Sequence, residues 1–300
     1  PSSADLNLLS FKNKDFLEAQ LKNNYPGITL MQFKDSTYLP NVELLRFMTP
    51  FGVGHFTEDE RVKDRKPPYI PHWESEVNWS QDVTHLLSLL EGEVYIGVYI
   101  DTWTKQGYNL SVNLEFKESD IPNHIKKKQT VVPIVNTVKY DGNQPNYDGF
   151  SKRDITVEIP AEHDYKNAKL YYITTGHGGH SEGDEFVKKE NIVSLNGEVI
   201  KQFVPWRDDC ASFRRFNPTS GTWLAKDFME DETSNDHIAS SDLSRSNWCP
   251  GSDVLPEIIA LNNLENKPHT LKFSIPEAQE TKENEHNYWM VSAYIIYDNE

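Results

Sequence analysis

The chain has 300 residues, of which 37% are apolar and 12% aromatic, so it can bury the core of one large all-β domain or of two ordinary ones. Its 46 acidic and 30 basic residues give a net charge of −16, which repels phosphate backbones and anionic lipid surfaces. No apolar run reaches the roughly 18 residues of a membrane span. Nucleic acid and membranes are therefore not expected as partners.

The first elements along the chain are short. Residues 11–22 have the spacing of a three-turn helix, and residues 28–33 and 43–47 predict strands. A helix of one or two turns is predicted within 80–90, with Ser80 as its N-terminal cap.

A β-hairpin is predicted next. Residues 93–100 predict a strand, and residues 108–116 alternate apolar and polar side chains, which is typical of a half-buried antiparallel strand. The loop 104–107 between them has hairpin length and contains a glycine. Three lysines, Lys126 to Lys128, then interrupt the apolar pattern. We therefore predict two domains, residues 1–126 and 127–300.

The second half of the chain has the pattern of an antiparallel β-sandwich. Strands are predicted at 130–138, 154–159, 169–175, 192–195, 199–204, 257–261, 270–275 and 288–297. The intervening stretch 207–252 has little strand pattern, and a loop of that length in a compact domain is usually functional.

The only two cysteines, Cys210 and Cys249, both lie in this long stretch. A disulfide that joins two loops is the favoured interpretation and predicts an exported protein. The alternative is two free buried thiols in a cytosolic protein.

The densest polar patch follows the predicted strand 169–175 and contains four glycines, two histidines and three carboxylates. His177 and His180 with one carboxylate can form a metal site, although this spacing alone is weak support. Asp184 and Glu185 supply acid–base groups.

Two further patches can bind a ligand. Asp101 and Trp103 combine a carboxylate with a flat apolar ring, which suits sugar or amide recognition, but they equally fit a turn cap and a core edge. Arginines and tryptophans of the long loop, Arg245 and Trp248 among them, fit either a polar ligand or an internal ion-pair network.

Several motifs in this order resemble the peptide-N-glycosidase F family, the bacterial amidases that release N-glycans from asparagine. In the first half, Arg46-Phe47-Met48-Thr49-Pro50-Phe51-Gly52-Val53-Gly54 and Asp101-Thr102-Trp103 match family motifs, and Val131-Val132-Pro133 matches the start of the second domain. Further along lie Gly176-His177, Asp184-Glu185-Phe186 and Arg245-Ser246-Asn247-Trp248-Cys249-Pro250-Gly251. The resemblance covers about residues 42–300.

The resemblance implies an all-β fold of two side-by-side antiparallel jelly rolls, each of eight strands, with few helices and a site between them. It implies hydrolysis of the glycosylated asparagine side-chain amide, in which asparagine becomes aspartate. Neither a cofactor nor a metal is implied. The expected partners are N-glycosylated proteins or glycopeptides, the expected location is secreted or periplasmic, and a monomer is expected.

The resemblance also assigns roles to residues. Glu185, Asp101 and Arg245 match catalytic-site positions, and Trp103 matches a tryptophan at the sugar face. His177, Asp184 and Trp248 are expected to bind substrate, and Cys210 and Cys249 match a family disulfide.

One family feature is absent from these 300 residues, the aspartate of a Trp-Asp-Arg motif. No Trp-Asp pair occurs, and the corresponding segment, residues 23–27, has no carboxylate. Too few residues precede Arg46 for all the family's early strands, so the first domain is expected to be incomplete here or remodelled. Two alternatives therefore stay open, a glycan-binding relative without catalysis and a metal-dependent oxygenase on a similar double β-sandwich.

Overall fold

The computed structural model describes most of the second half of the chain and part of the first. The described residues are 41–52, 74–94, 96–100, 107–118, 129–137, 150–159, 165–178, 183–218, 220, 222–224, 236–262, 264–280 and 287–299. The predicted elements at 11–22 and 28–33 lie outside them, as do Asp101, Trp103 and His180.

Strands dominate the described residues, and the helices are short. The strands β1 to β12 are Arg46–Phe47, Gln129–Asn136, Ile155–Ile159, Lys166–Gly178, Asn191–Leu195, Glu198–Phe203, Thr222–Leu224, Asp236–Ile238, Asp253–Val254, Glu257–Ala260, His269–Ser274 and Asn287–Asp298. Short 3-10 helices cover Thr84–Leu89, Cys210–Phe216 and Ser240–Asp242. None of the helices in the described ranges is long and apolar enough to cross a bilayer.

Eight of these strands form a sandwich of two antiparallel sheets. One sheet has the order β10-β4-β12-β2 and the other β3-β11-β5-β6. All eight strands predicted between residues 130 and 297 are present, with ends that differ by up to three residues. The all-β antiparallel prediction is confirmed, whereas the jelly-roll connectivity of two domains and the boundary at 126/127 stay predictions.

The main core lies between the two sheets and follows the period of two along each strand. Leu170 and Tyr172 of β4 face Val193, Leu271 and Phe273 of the opposite sheet in one buried cluster. The alternate residues of β4 also have partners, because the first half of the chain covers the outer face of this sheet. Most of β4 is consequently buried on both faces.

Two small apolar clusters attach the first half to that outer face. Leu86 packs with Val131, Tyr294 and Ile296. Met48 and Phe51 pack in a second cluster with Ile173, Trp248 and Val254. Strand β1 also pairs with β9, so that Arg46 lies opposite Val254.

Two predictions for the first half need correction. The helix at 80–90 exists only as the 3-10 helix Thr84–Leu89, and Asp82 rather than Ser80 accepts the amide hydrogen of Thr84, at 2.8 Å. The predicted hairpin at 93–100 and 108–116 has no strand pairing among the described residues. A strand needs a neighbour for its backbone hydrogen bonds, and Leu110 and Val112 remain more than 40% exposed.

The long stretch 207–252 is indeed loop-rich in its described residues, and a disulfide closes it. Cys210 and Cys249 are fully buried, with a Cα–Cα distance of 5.1 Å. The disulfide prediction is confirmed.

Candidate functional site

The site is built around the last residues of β4 and two segments that lie against them. The segment 245–248 contacts β4 through its backbone and side chains. Gly176 donates its amide hydrogen to the Ser246 carbonyl at 3.2 Å, and Trp248 donates its indole hydrogen to the Gly176 carbonyl at 2.8 Å. The turn 183–187 lies on the other side of Ser246, because the Ser246 amide donates to the Glu185 carbonyl at 2.8 Å.

Gly176 makes this close approach possible. A Cβ atom at this position would lie 2.5 Å from the Asp184 carbonyl oxygen and 2.8 Å from the Ser246 Cβ. Only glycine allows the three segments to pack at this distance.

Glu185 is partly exposed and has a defined orientation. Its amide donates to the Gly178 carbonyl at 3.2 Å, and its Oε2 accepts the Gly178 amide hydrogen at 3.2 Å. Its Oε1 lies 3.3 Å from the Arg245 Nε, and 15% of its side chain remains exposed. The carboxylate is therefore held between a backbone amide and a guanidinium and still reaches solvent.

Arg245 is fully buried beneath this carboxylate. Its guanidinium lies 4.6 to 5.3 Å from the ring centroids of Trp248, Phe186 and Phe51, and one nitrogen donates to Ser240. Burial lowers the pKa of Arg245 to about 10, opposed by Glu185 and Asp242, so the group is charged at neutral pH. Among the described residues, neither its Nε nor its NH1 has a hydrogen-bond acceptor, so its contact with Glu185 is an ion pair without a hydrogen bond.

His177 is buried in an aromatic stack. Its ring lies 5.1 Å from Trp248 and 5.2 Å from Tyr288, and its Nε2 is 2.7 Å from the Thr175 hydroxyl. Burial, with the nearby charges of Arg46 and Arg245, lowers the pKa of His177 to about 3. The imidazole is thus neutral at physiological pH, and its Nε2 is already bonded to the Thr175 hydroxyl.

The described residues contain no group of three or more His, Cys, Asp or Glu side chains arranged to hold a metal ion. His180, the second histidine of the metal hypothesis, lies outside them.

Asp184 and Trp248 have the surroundings of buried supporting residues. The Asp184 side chain is fully buried and accepts a hydrogen bond from Lys189 Nζ at 2.5 Å. Burial raises the pKa of Asp184, and the bonds from Lys189 and the Gln279 amide oppose that shift. Trp248 is 6% exposed, and its indole hydrogen is already used by Gly176. Little of either side chain is exposed, and their substrate-binding roles stay predictions.

Arg46 is a part of the site region that the sequence analysis did not assign a role. It is 4% exposed and binds both oxygens of Glu43 at 2.7 Å. Its NH1 donates to the Thr175 hydroxyl at 3.1 Å and to the Met290 carbonyl at 2.8 Å. The signal was its place at the start of the Arg-Phe-Met-Thr-Pro motif, but two of its acceptors, Thr175 and Met290, lie more than 120 positions away.

The two quoted motifs that begin at Arg46 and Arg245 are neighbours in space. Met48 donates its amide hydrogen to the Ser252 carbonyl at 2.8 Å, and Gly251 donates its own to the Met48 carbonyl at 2.9 Å. Gly251 has a φ of 88°, which favours glycine at this turn. Sequence order alone did not predict this pairing.

Comparison with known proteins identifies the family. The model described as "Peptide-N-glycosidase F, C terminal" matches residues 146–296, and the model for the N-terminal part matches residues 5–116. The chain belongs to the peptide-N-glycosidase F family.

Individual members of the peptide-N-glycosidase F family agree with this assignment. The chain is 22% identical over 269 residues to peptide-N(4)-(N-acetyl-beta-D-glucosaminyl)asparagine amidase F of Elizabethkingia miricola, covering 85% of this chain and 63% of that protein. It is similar to the crystal structure of PNGF-II in space group C2, with 32% identity and a TM-score of 0.67, over 91% of this chain and 49% of that one. The P21 structure of PNGF-II gives 31% identity and a TM-score of 0.63, over 90% and 49%. The chain spans about half the length of the PNGF-II structures.

Proposed function

We propose that this protein is an amidase that releases N-linked glycans by hydrolysing the side-chain amide of glycosylated asparagine. Membership of the peptide-N-glycosidase F family supports the reaction class. The observation that carries the proposal is the partly exposed Glu185 carboxylate held 3.3 Å from the buried guanidinium of Arg245. A fixed carboxylate with solvent access can activate or orient the water that hydrolyses an amide.

The reaction needs three events. Water attacks the carbonyl carbon, negative charge develops on the carbonyl oxygen, and the leaving nitrogen takes a proton. Water thereby supplies the hydroxyl of the new aspartate and the hydrogen of the released glycosylamine. Glu185 is proposed to hold the attacking water or the amide group at the reacting centre.

Arg245 acts through Glu185 in this proposal. Its complete burial separates it from solvent, whereas its Nε faces the carboxylate. A cation 3.3 Å from the carboxylate attracts it and so helps to hold its orientation. Asp101 and Trp103 are proposed to complete the site, with the carboxylate near the reacting centre and the indole ring against a sugar; both lie outside the described residues.

The natural substrates proposed are N-glycosylated proteins or glycopeptides outside the cell. The disulfide between Cys210 and Cys249 supports a secreted or periplasmic location, because such bonds persist in oxidising compartments.

The test is glycan release from a denatured high-mannose glycoprotein in isotopically labelled water. Mass spectrometry should find free glycan and labelled aspartate at the former asparagine. Glu185→Gln should lower the rate by a factor of about 10² or more, the usual contribution of a positioned acid–base group. Glu190→Gln is the matched control, because Glu190 is an exposed carboxylate near Glu185 in sequence that accepts a hydrogen bond from Gln202.

A second function follows from the absence of a Trp-Asp pair in these 300 residues. Without that carboxylate, the site can bind glycosylated asparagine and leave the amide intact. Saturable binding of a glycopeptide in calorimetry, with no labelled aspartate, supports the binding function. Release of glycan by wild type and unchanged release by Glu185→Gln contradicts the assignment of Glu185.

A further inference from the structure

Asp184 precedes Glu185 in the chain, yet its side chain points into the protein. It is 0% exposed, and its carboxylate accepts hydrogen bonds from Lys189 Nζ at 2.5 Å and from the Gln279 amide at 3.0 Å. Lys189 is itself 3% exposed, so this is an ion pair inside the protein. Breaking one partner of such a pair leaves an uncompensated buried charge.

The backbone of Asp184 is fixed as firmly as its side chain. Its amide donates to Asn287 Oδ1 at 3.0 Å, and its carbonyl accepts the Ser246 hydroxyl at 2.6 Å. The same carbonyl lies under Gly176, where a Cβ atom would be 2.5 Å away. Every polar group of this residue therefore has a partner, from four different parts of the chain.

These contacts determine where the next residue lies. The Glu185 carbonyl is bound by the same Ser246 whose hydroxyl binds the Asp184 carbonyl. The Glu185 amide and carboxylate both bind Gly178. Both backbone polar groups of Glu185 are thus fixed, and its carboxylate, 15% exposed, is held by a turn in which Asp184 is buried.

We propose that Asp184 is a positioning residue, whose buried ion pair with Lys189 and backbone contacts fix the turn that presents Glu185 to a glycosylated asparagine. This inference rests on the proposed amidase function for its substrate. It assigns Asp184 a role through Glu185 instead of a direct contact with the glycan.

The first experiment separates kcat from KM. Asp184→Asn preserves size and the oxygen that accepts the Gln279 amide but removes the charge that pairs with Lys189. A displaced Glu185 lowers kcat by about tenfold to a hundredfold, because small misplacements of reacting groups are costly, and leaves KM within about twofold. The matched control is Asp154→Asn, which removes one partner of the exposed ion pair with Lys272.

Ser246→Ala is the second variant and keeps the inference testable if Asp184→Asn does not fold. It deletes one hydroxyl and leaves the ion pair intact, so the protein is expected to fold. It should also lower kcat, and amide hydrogen exchange measured on the peptide 183–187 should become faster in both variants. A residue that contributes to stability alone would lower the unfolding midpoint and leave kcat per folded molecule unchanged.

The outcomes are distinct. A higher KM with unchanged kcat overturns the inference and makes Asp184 a substrate contact. Unchanged kcat and unchanged exchange at 183–187 in a folded variant also overturn it. If the wild type releases no glycan, the amidase proposal fails, and the positioning of the turn is then judged on exchange alone: faster exchange supports it and unchanged exchange overturns it.

Discussion

The disulfide between Cys210 and Cys249 should contribute about 4 kcal/mol to the free energy of unfolding. It closes a loop of 39 residues, and chain-entropy theory gives about 3 kcal/mol for 15 residues and about 4.7 kcal/mol for 100. Both sulfur atoms are buried, and the enclosed segment includes Arg245. Loss of the cross-link releases the segment that carries the charge behind Glu185.

The perturbation is the double variant Cys210→Ala/Cys249→Ala. Urea unfolding followed by tryptophan fluorescence gives the midpoint and the slope for each protein. A lower urea midpoint and a loss of about 4 kcal/mol in the free energy of unfolding support the entropic origin of the stabilisation by the disulfide. Wild type unfolded in the presence of a reductant is the control, because it loses the cross-link and keeps both sulfur atoms.

Two results would refute this reasoning. A loss below about 1 kcal/mol in both the variant and the reduced wild type means that the loop is already restricted in the unfolded chain. A large loss in the variant alone assigns the effect to the cavity left by the two sulfur atoms.

Three further changes have defined effects. Gly176→Ala should cost at least about 1–3 kcal/mol in the free energy of unfolding, measured in urea, because its Cβ would clash with the Asp184 backbone. Arg46→Lys should cost about 1–3 kcal/mol in the same assay, because lysine keeps the charge but cannot replace the two-pronged contact with Glu43. The free energy of unfolding should fall as pH falls from about 6.5 towards 3, because the unfolded chain protonates His177 and the folded protein does not. In His177→Gln, the free energy of unfolding should depend less steeply on pH over this range.

Each of these predictions has a contradicting result. Equal midpoints for wild type and Gly176→Ala would mean that the three segments can separate without cost. An unchanged free energy of unfolding for Arg46→Lys would mean that Glu43 has another partner in that variant. If the free energy of unfolding of His177→Gln depends on pH as steeply as that of wild type, groups other than His177 cause the dependence.

The sequence predicted the strands of the second half because their side chains are sorted by burial with a period of two. The segment at 108–116 has the same period, but it forms no strand among the described residues and Leu110 and Val112 remain more than 40% exposed, since alternation does not specify a partner strand. Glu185 and Arg245 lie in polar patches that the sequence analysis singled out, and the family resemblance assigned them roles. Their mutual distance, the ion pair of Asp184 with Lys189 and the bonds of Arg46 to Thr175 depend on tertiary packing, which local pattern does not encode.

The attachment of the first half to β4 has a consequence for dividing the chain. Strand β1 pairs with β9, and Leu86 fills the apolar surface around Tyr294, so each half completes the buried surface of the other. A polypeptide cut between residues 118 and 129 would expose complementary apolar surfaces and strand edges on the two fragments. Mixing the two fragments should then reconstitute the native assembly without a peptide bond between them, as in split-protein complementation.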